Sequence, residues 1–73
     1  MNQFPSVTDA EAARINHAHK LGFDCGMKGA TPGERANVIE REHLAGEEFR
    51  YFQIGFIDGV TELNEHRAAA RHS

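Results

Sequence analysis

One cysteine, two prolines and no tryptophan occur in these 73 residues, and each scarcity removes a class of protein. A lone Cys25 can close no internal disulfide and leaves no second thiolate for a zinc site, so a disulfide-stapled secreted fold is excluded and a reducing, cytoplasmic home is expected. Long apolar runs are missing too. No stretch approaches the roughly 18 residues of a membrane span, and Met1-Asn2-Gln3-Phe4-Pro5-Ser6 has neither the basic start nor the apolar core of a signal peptide. Positive charge is in short supply: eight Lys and Arg stand against eleven Asp and Glu, a formal charge of -3, which argues against a general nucleic-acid binder held by phosphate contacts. Local basic faces are still allowed. Large apolar side chains are few as well. Ten of the 29 hydrophobic residues are alanines, which leaves nineteen to build an interior and makes a deep substrate pocket hard to form. Two independent domains do not fit in a chain of this length.

What is present is helix punctuation. Thr8-Asp9-Ala10-Glu11 fits a capping box, in which the Thr8 hydroxyl accepts from the N–H of Glu11 and the Glu11 carboxylate reaches back to the N–H of Thr8. Thr31-Pro32-Gly33-Glu34 repeats the pattern with proline in the first helical position, where its missing N–H costs nothing. A first helix is therefore expected from about Asp9 to Lys28, stopped by Gly29, and a second from Pro32. No proline follows, and good helix formers such as Glu40, Arg41, Glu47, Glu48 and Ala68 to Ala70 fill the rest. Gly46 is the one plausible break, so residues 32–70 read as one bent helix or two, with the bend near Leu44 to Gly46. No segment alternates in the manner of a strand. The expectation is an all-α fold: a small helical hairpin of two main helices with Gly-xxx-Gly close packing and room for a short third helix. Residues 1–7 are expected to be flexible, 8–70 to form one domain and 71–73 to fray.

An internal near-repeat carries the packing. Leu21-Gly22-Phe23-Asp24-Cys25-Gly26-Met27 lies over Ile54-Gly55-Phe56-Ile57-Asp58-Gly59-Val60, matching Gly-Phe-x-x-Gly. Glycine costs about 1 kcal/mol in a helix interior relative to alanine, so paired i, i+4 glycines need a compensating gain, and close helix approach supplies one. At 100° per residue, Ile15, Ala18, Gly22, Cys25, Gly26 and Gly29 share one face of the first helix. Phe49, Phe52, Phe56, Gly59, Val60 and Leu63 make the facing stripe, with Gly55 at its edge. Aromatic ridges are then expected to enter a glycine groove. A membrane dimer motif is rejected, because Lys20, Asp24, Lys28 and Asp58 interrupt the segments. Ile54 and Ile57 fall away from this stripe and are expected either to be covered by Val38 and Ile39 or to meet a partner.

Reactive constellations are scarce. His17, His19, His43, His66 and His72 include no i, i+4 pair with a carboxylate in third position, so no metal and no cofactor is expected. Cys25 falls on the packed stripe, where a buried structural thiol is the natural reading. The carboxylate neighbours Glu47 and Glu48, or Glu62 and Glu65, read as solvated helix faces rather than an acid/base pair. Glycines within a helical pattern make no phosphate cradle. These readings disfavour an enzyme. Two binding surfaces are open instead. Arg14, His17, Lys20 and Lys28 gather on the polar side of the first helix, fit for RNA phosphates or an acidic partner. Tyr51, Ile54 and Ile57, with the acidic Glu47, Glu48, Asp58 and Glu62, could take a protein.

Ala18-His19-Lys20-Leu21-Gly22-Phe23-Asp24-Cys25-Gly26-Met27-Lys28-Gly29 resembles the opening signature of the ribosome modulation factor family, A-x-x-x-G-[YF]-x-x-G-x-x-G, through Ala18, Gly22, Phe23, Gly26 and Gly29. Phe52-x-x-Gly55-Phe56-x-x-Gly59 is similar to the family's second half, though tryptophan is common there where this chain has phenylalanine. The resemblance spans about half the chain. It implies two helices joined by a linker, in a small bacterial protein that binds the ribosome, both rRNA and ribosomal proteins, and promotes an inactive, dimerised state. A protein-interaction module on the same scaffold, such as a phage-encoded inhibitor or adaptor, is the alternative, and a homodimer is compatible with either.

Overall fold

The structure is a computed structural model that describes residues 9–72. It is all-α, with α1 over Asp9–Lys28, α2 over Pro32–Arg41 and α3 over Glu47–His72. The expected capping residue Thr8 and the N-terminal segment 1–7 lie outside the described residues. α1 carries Asp9 and Glu11 in its first turn and Lys28 in its last, charges that complement the helix dipole at both ends. It closes in a Schellman arrangement: Ala30 N–H donates to the Cys25 carbonyl at 2.9 Å and Gly29 N–H to that of Gly26 at 3.2 Å, with Gly29 at φ 70°. The stop expected at Gly29 is where the helix ends. The capping box at α2 is complete, since Thr31 Oγ1 accepts from Glu34 N–H at 3.2 Å and Thr31 N–H donates to Glu34 Oε1 at 2.8 Å.

Residues 32–70 are two helices. α2 ends in a second Schellman motif, Leu44 N–H to the Ile39 carbonyl at 3.0 Å and His43 N–H to that of Glu40 at 3.2 Å. The left-handed position is held by His43, φ 56°. Leu44 is thereby turned inward to join the buried cluster. Gly46, also left-handed at φ 59°, then starts α3.

α1 and α3 form the main packing pair, and it is a backbone-to-backbone contact. A Cβ placed on Gly22 would fall 2.8 Å from both the carbonyl carbon of Phe52 and the nitrogen of Phe56, and one on Gly26 2.8 Å from the Cα of Gly59. From the other side, a Cβ on Gly55 would meet the backbone of His19 and Phe23, and one on Gly59 that of Phe23, Gly26 and Met27. All four glycines interlock. Gly55, expected at the edge of its stripe, is buried at the centre of the contact. The aromatic ridge is displaced accordingly: Phe52 is buried at 1% exposure, while Phe56 leans toward α2 and Phe49 is 37% exposed.

The partners rise together along both chains, His19 beside Gly55, Gly22 between Phe52 and Phe56, and Gly26 beside Gly59. The two long helices therefore run in the same sense, and α2 carries the chain back between them. Val38 and Ile39 of α2 pack on the core of Ala18, Cys25, Leu44 and Phe52. Because α3 is longer than its overlap with α1, its C-terminal half projects past Lys28, and the molecule measures 51 × 31 × 13 Å.

Candidate interaction surfaces

The polar side of α1 is less basic than its sequence. The Arg14 guanidinium pairs with Glu48 at 2.6 Å, and His17 Nε2 lies 3.5 Å from Glu42. Both contacts join α1 to the link and first turn that lead into α3. Neither side chain is therefore left without an acidic neighbour. Lys20 and Lys28 remain exposed, and no ion pair among the described residues engages either. Of the four candidate contacts Arg14, His17, Lys20 and Lys28, the structure thus leaves the two lysines as the available cations.

The acidic candidates are paired as well. Glu48 holds Arg14, Asp58 accepts from His19 Nε2 at 3.1 Å, Glu47 lies 3.6 Å from Arg50, and Glu62 lies 3.3 Å from His66. Exposed pairs of this kind contribute about 0–1 kcal/mol each, so their role is to dispose charge rather than to hold the fold. Tyr51, Ile54 and Ile57 are 36%, 41% and 61% exposed. The middle helix leaves Ile54 and Ile57 exposed: Val38 and Ile39 pack against the core, and Ile57 faces Ile39 only across an open groove.

Three histidines each meet a single carboxylate, His17 with Glu42, His19 with Asp58 and His66 with Glu62. Among the described residues no group of three His, Cys, Asp or Glu is placed to hold a metal ion. No helix among them is long and apolar enough to cross a membrane.

A groove of about 390 Å³ between α2 and α3 was not anticipated. Pro32, Arg35, Ala36 and Ile39 wall one side and Phe49, Phe56 and Ile57 the other. The Arg35 guanidinium sits 4.1 Å from the centroid of the Phe56 ring and donates to the Ala30 carbonyl at 2.8 Å. It ties α2 to α3 by a cation–π contact and to the α1–α2 turn by a hydrogen bond. The signal was present, since 32, 35, 36 and 39 fall at i, i+3, i+4 and i+7 on one face of the helix.

Cys25 is buried, 8% exposed, and desolvation pushes its thiol above the ordinary value of 9.0, partly opposed by Lys28 and Arg35. A raised thiol pKa stabilises the fold below pH 9.0, and that contribution is lost as pH climbs through the elevated native value. The stability advantage of the wild type over Cys25→Ala is therefore expected to shrink in urea titrations above pH 9.0. A difference that stays constant across that pH would place the thiol in water.

Together the fold and surfaces define a small all-α protein with one polar face on α1 and one apolar face on α2 and α3. In comparisons with known proteins, the chain matches no family model, no curated protein and no solved structure.

Proposed function

We propose that this chain is a non-enzymatic, ribosome-associated factor of the kind its signature resembles, binding the ribosome and repressing translation. One observation carries the reading. The small residues of the resemblance are the ones the fold needs: Ala18 is fully buried, and Gly22 and Gly26 admit no Cβ against α3, as Gly55 and Gly59 admit none against α1. The motif is thus a packing code for a particular helix pair, and a chain that keeps both halves of it keeps the scaffold that the ribosome modulation factors are expected to use. Within this reading Lys20 and Lys28 supply the contacts to rRNA phosphate, while Arg14 and His17 are occupied by Glu48 and Glu42.

The pairing of Arg14 and His17 with acids, and the exposure of Ile54 and Ile57, favour a second reading: a module that docks on a protein through its apolar face. Sedimentation through sucrose with ribosomes at low and moderate salt separates the two. Phosphate contacts weaken steeply with salt and apolar docking does not. The first reading predicts salt-sensitive co-migration that Lys20→Glu with Lys28→Glu abolishes. Absence of co-migration at both salts, or full retention in the double variant, rejects it.

A further inference from the structure

The 8.1 kDa chain exposes 5573 Å². Surface scaling gives a compact folded monomer of this mass about 4,500 Å², so roughly 1,100 Å² is in excess, against the roughly 800 Å² that each partner of a standard interface buries. The radius of gyration, 14.8 Å where about 11 Å is expected of 73 compact residues, reports the same surplus. Residues 64–70, in the part of α3 that projects past α1, are all exposed. A helical segment of that length without tertiary support is marginal in water.

The outer face of α3, opposite α1, has a pattern of its own. Ile54, Ile57, Thr61, Asn64 and Ala68 recur at alternating spacings of three and four, the a/d seam of a coiled coil, and all five are exposed and uncharged. The polar members suit burial. Thr61 Oγ1 already donates to the Ile57 carbonyl at 2.9 Å, so its hydroxyl is satisfied, and parallel pairing sets the Asn64 amide against its own counterpart. The flanks set the direction. Asp58 and Glu65 border one side of the seam, and Gln53, Val60 and Arg67 the other. Antiparallel pairing sets the acidic flank against itself, whereas parallel pairing sets each acid against Gln53 or Val60 of the other copy.

We infer that two copies of this chain associate through α3, in parallel, along the seam from Ile54 to Ala68. The inference goes beyond both functional readings, and its test contains no ribosome. Sedimentation equilibrium at micromolar concentration should give twice the 8.1 kDa chain mass for the wild type. Ile57→Glu and Ile57→Lys should each lose the dimer entirely while keeping the helical circular dichroism of the wild type. Mixing the two variants should restore a dimer, because parallel pairing sets residue 57 against itself. Should either variant fail to fold, Asn64→Glu with Asn64→Lys offers the same exchange at a more polar site. A monomeric wild type, a dimer that survives Ile57→Glu, or folded variants that do not pair on mixing would overturn the proposal.

Discussion

Truncation of Phe52 to alanine should remove most of the stability of this domain. Among the described residues Phe52 is the one large side chain that is fully buried, and the cluster it shares with Ala18, Cys25 and Leu44 is their core. Deleting a buried phenylalanine costs about 3–5 kcal/mol, from lost transfer energy together with the cavity left behind. A chain of this length has roughly 4–11 kcal/mol in total. The variant should therefore melt far below the wild type in circular dichroism, or lack a cooperative transition. A loss under about 1 kcal/mol would mean that the core lies elsewhere.

Gly22→Ala should also destabilise, although alanine is by far the better helix former. Two effects compete. Propensity favours alanine by about 1 kcal/mol, and overpacking opposes it by about 1–3 kcal/mol. Overpacking should win here, because the new Cβ meets the backbone of Phe52 and Phe56, and relief requires the two helices to part along their length. Net destabilisation of up to about 2 kcal/mol corresponds to a melting point lower by as much as roughly 8–16 °C. Gly33 is the internal control. It lies in α2 with nothing nearer to a new Cβ than Thr31 Oγ1 at 4.0 Å, so Gly33→Ala should leave stability unchanged or raise it. Equal effects at the two positions would remove the interlock.

These outcomes rest on features of unequal legibility. Thr31-Pro32-Gly33-Glu34 and Gly29 could be read directly, because capping is local chemistry and its partners lie within a few residues. The paired glycines were legible as a close contact, since nothing else offsets their cost in a helix. The sense of that contact was not legible, because i, i+4 spacing is the same read in either direction. The end of α2 is not legible for a related reason: the left-handed cap that usually marks itself with glycine is held by His43, and the nearby Gly46 belongs to the start of α3. The polar face of α1 is the least legible feature. Arg14 and His17 look free beside Lys20 and Lys28 until the fold brings Glu48 and Glu42 to them, and helical periodicity carries no information about residues so distant in the chain. Ile54 and Ile57 were legible as unaccounted apolar surface. Their heptad continuation through Thr61, Asn64 and Ala68 gained weight only once α3 was seen to outrun its partner.

The same-sense interlock of α1 and α3 sets the polar face of one helix and the apolar seam of the other. Nuclear Overhauser contacts between α protons read it directly in the wild-type protein. Gly26 with Gly59 is the cross-peak to expect, accompanied by contacts from His19 to Gly55 and from Gly22 to Phe52. Cross-peaks joining Gly22 to Gly59 and Gly26 to Gly55 would mean that the helices run in opposite directions, and the arrangement described here would be wrong.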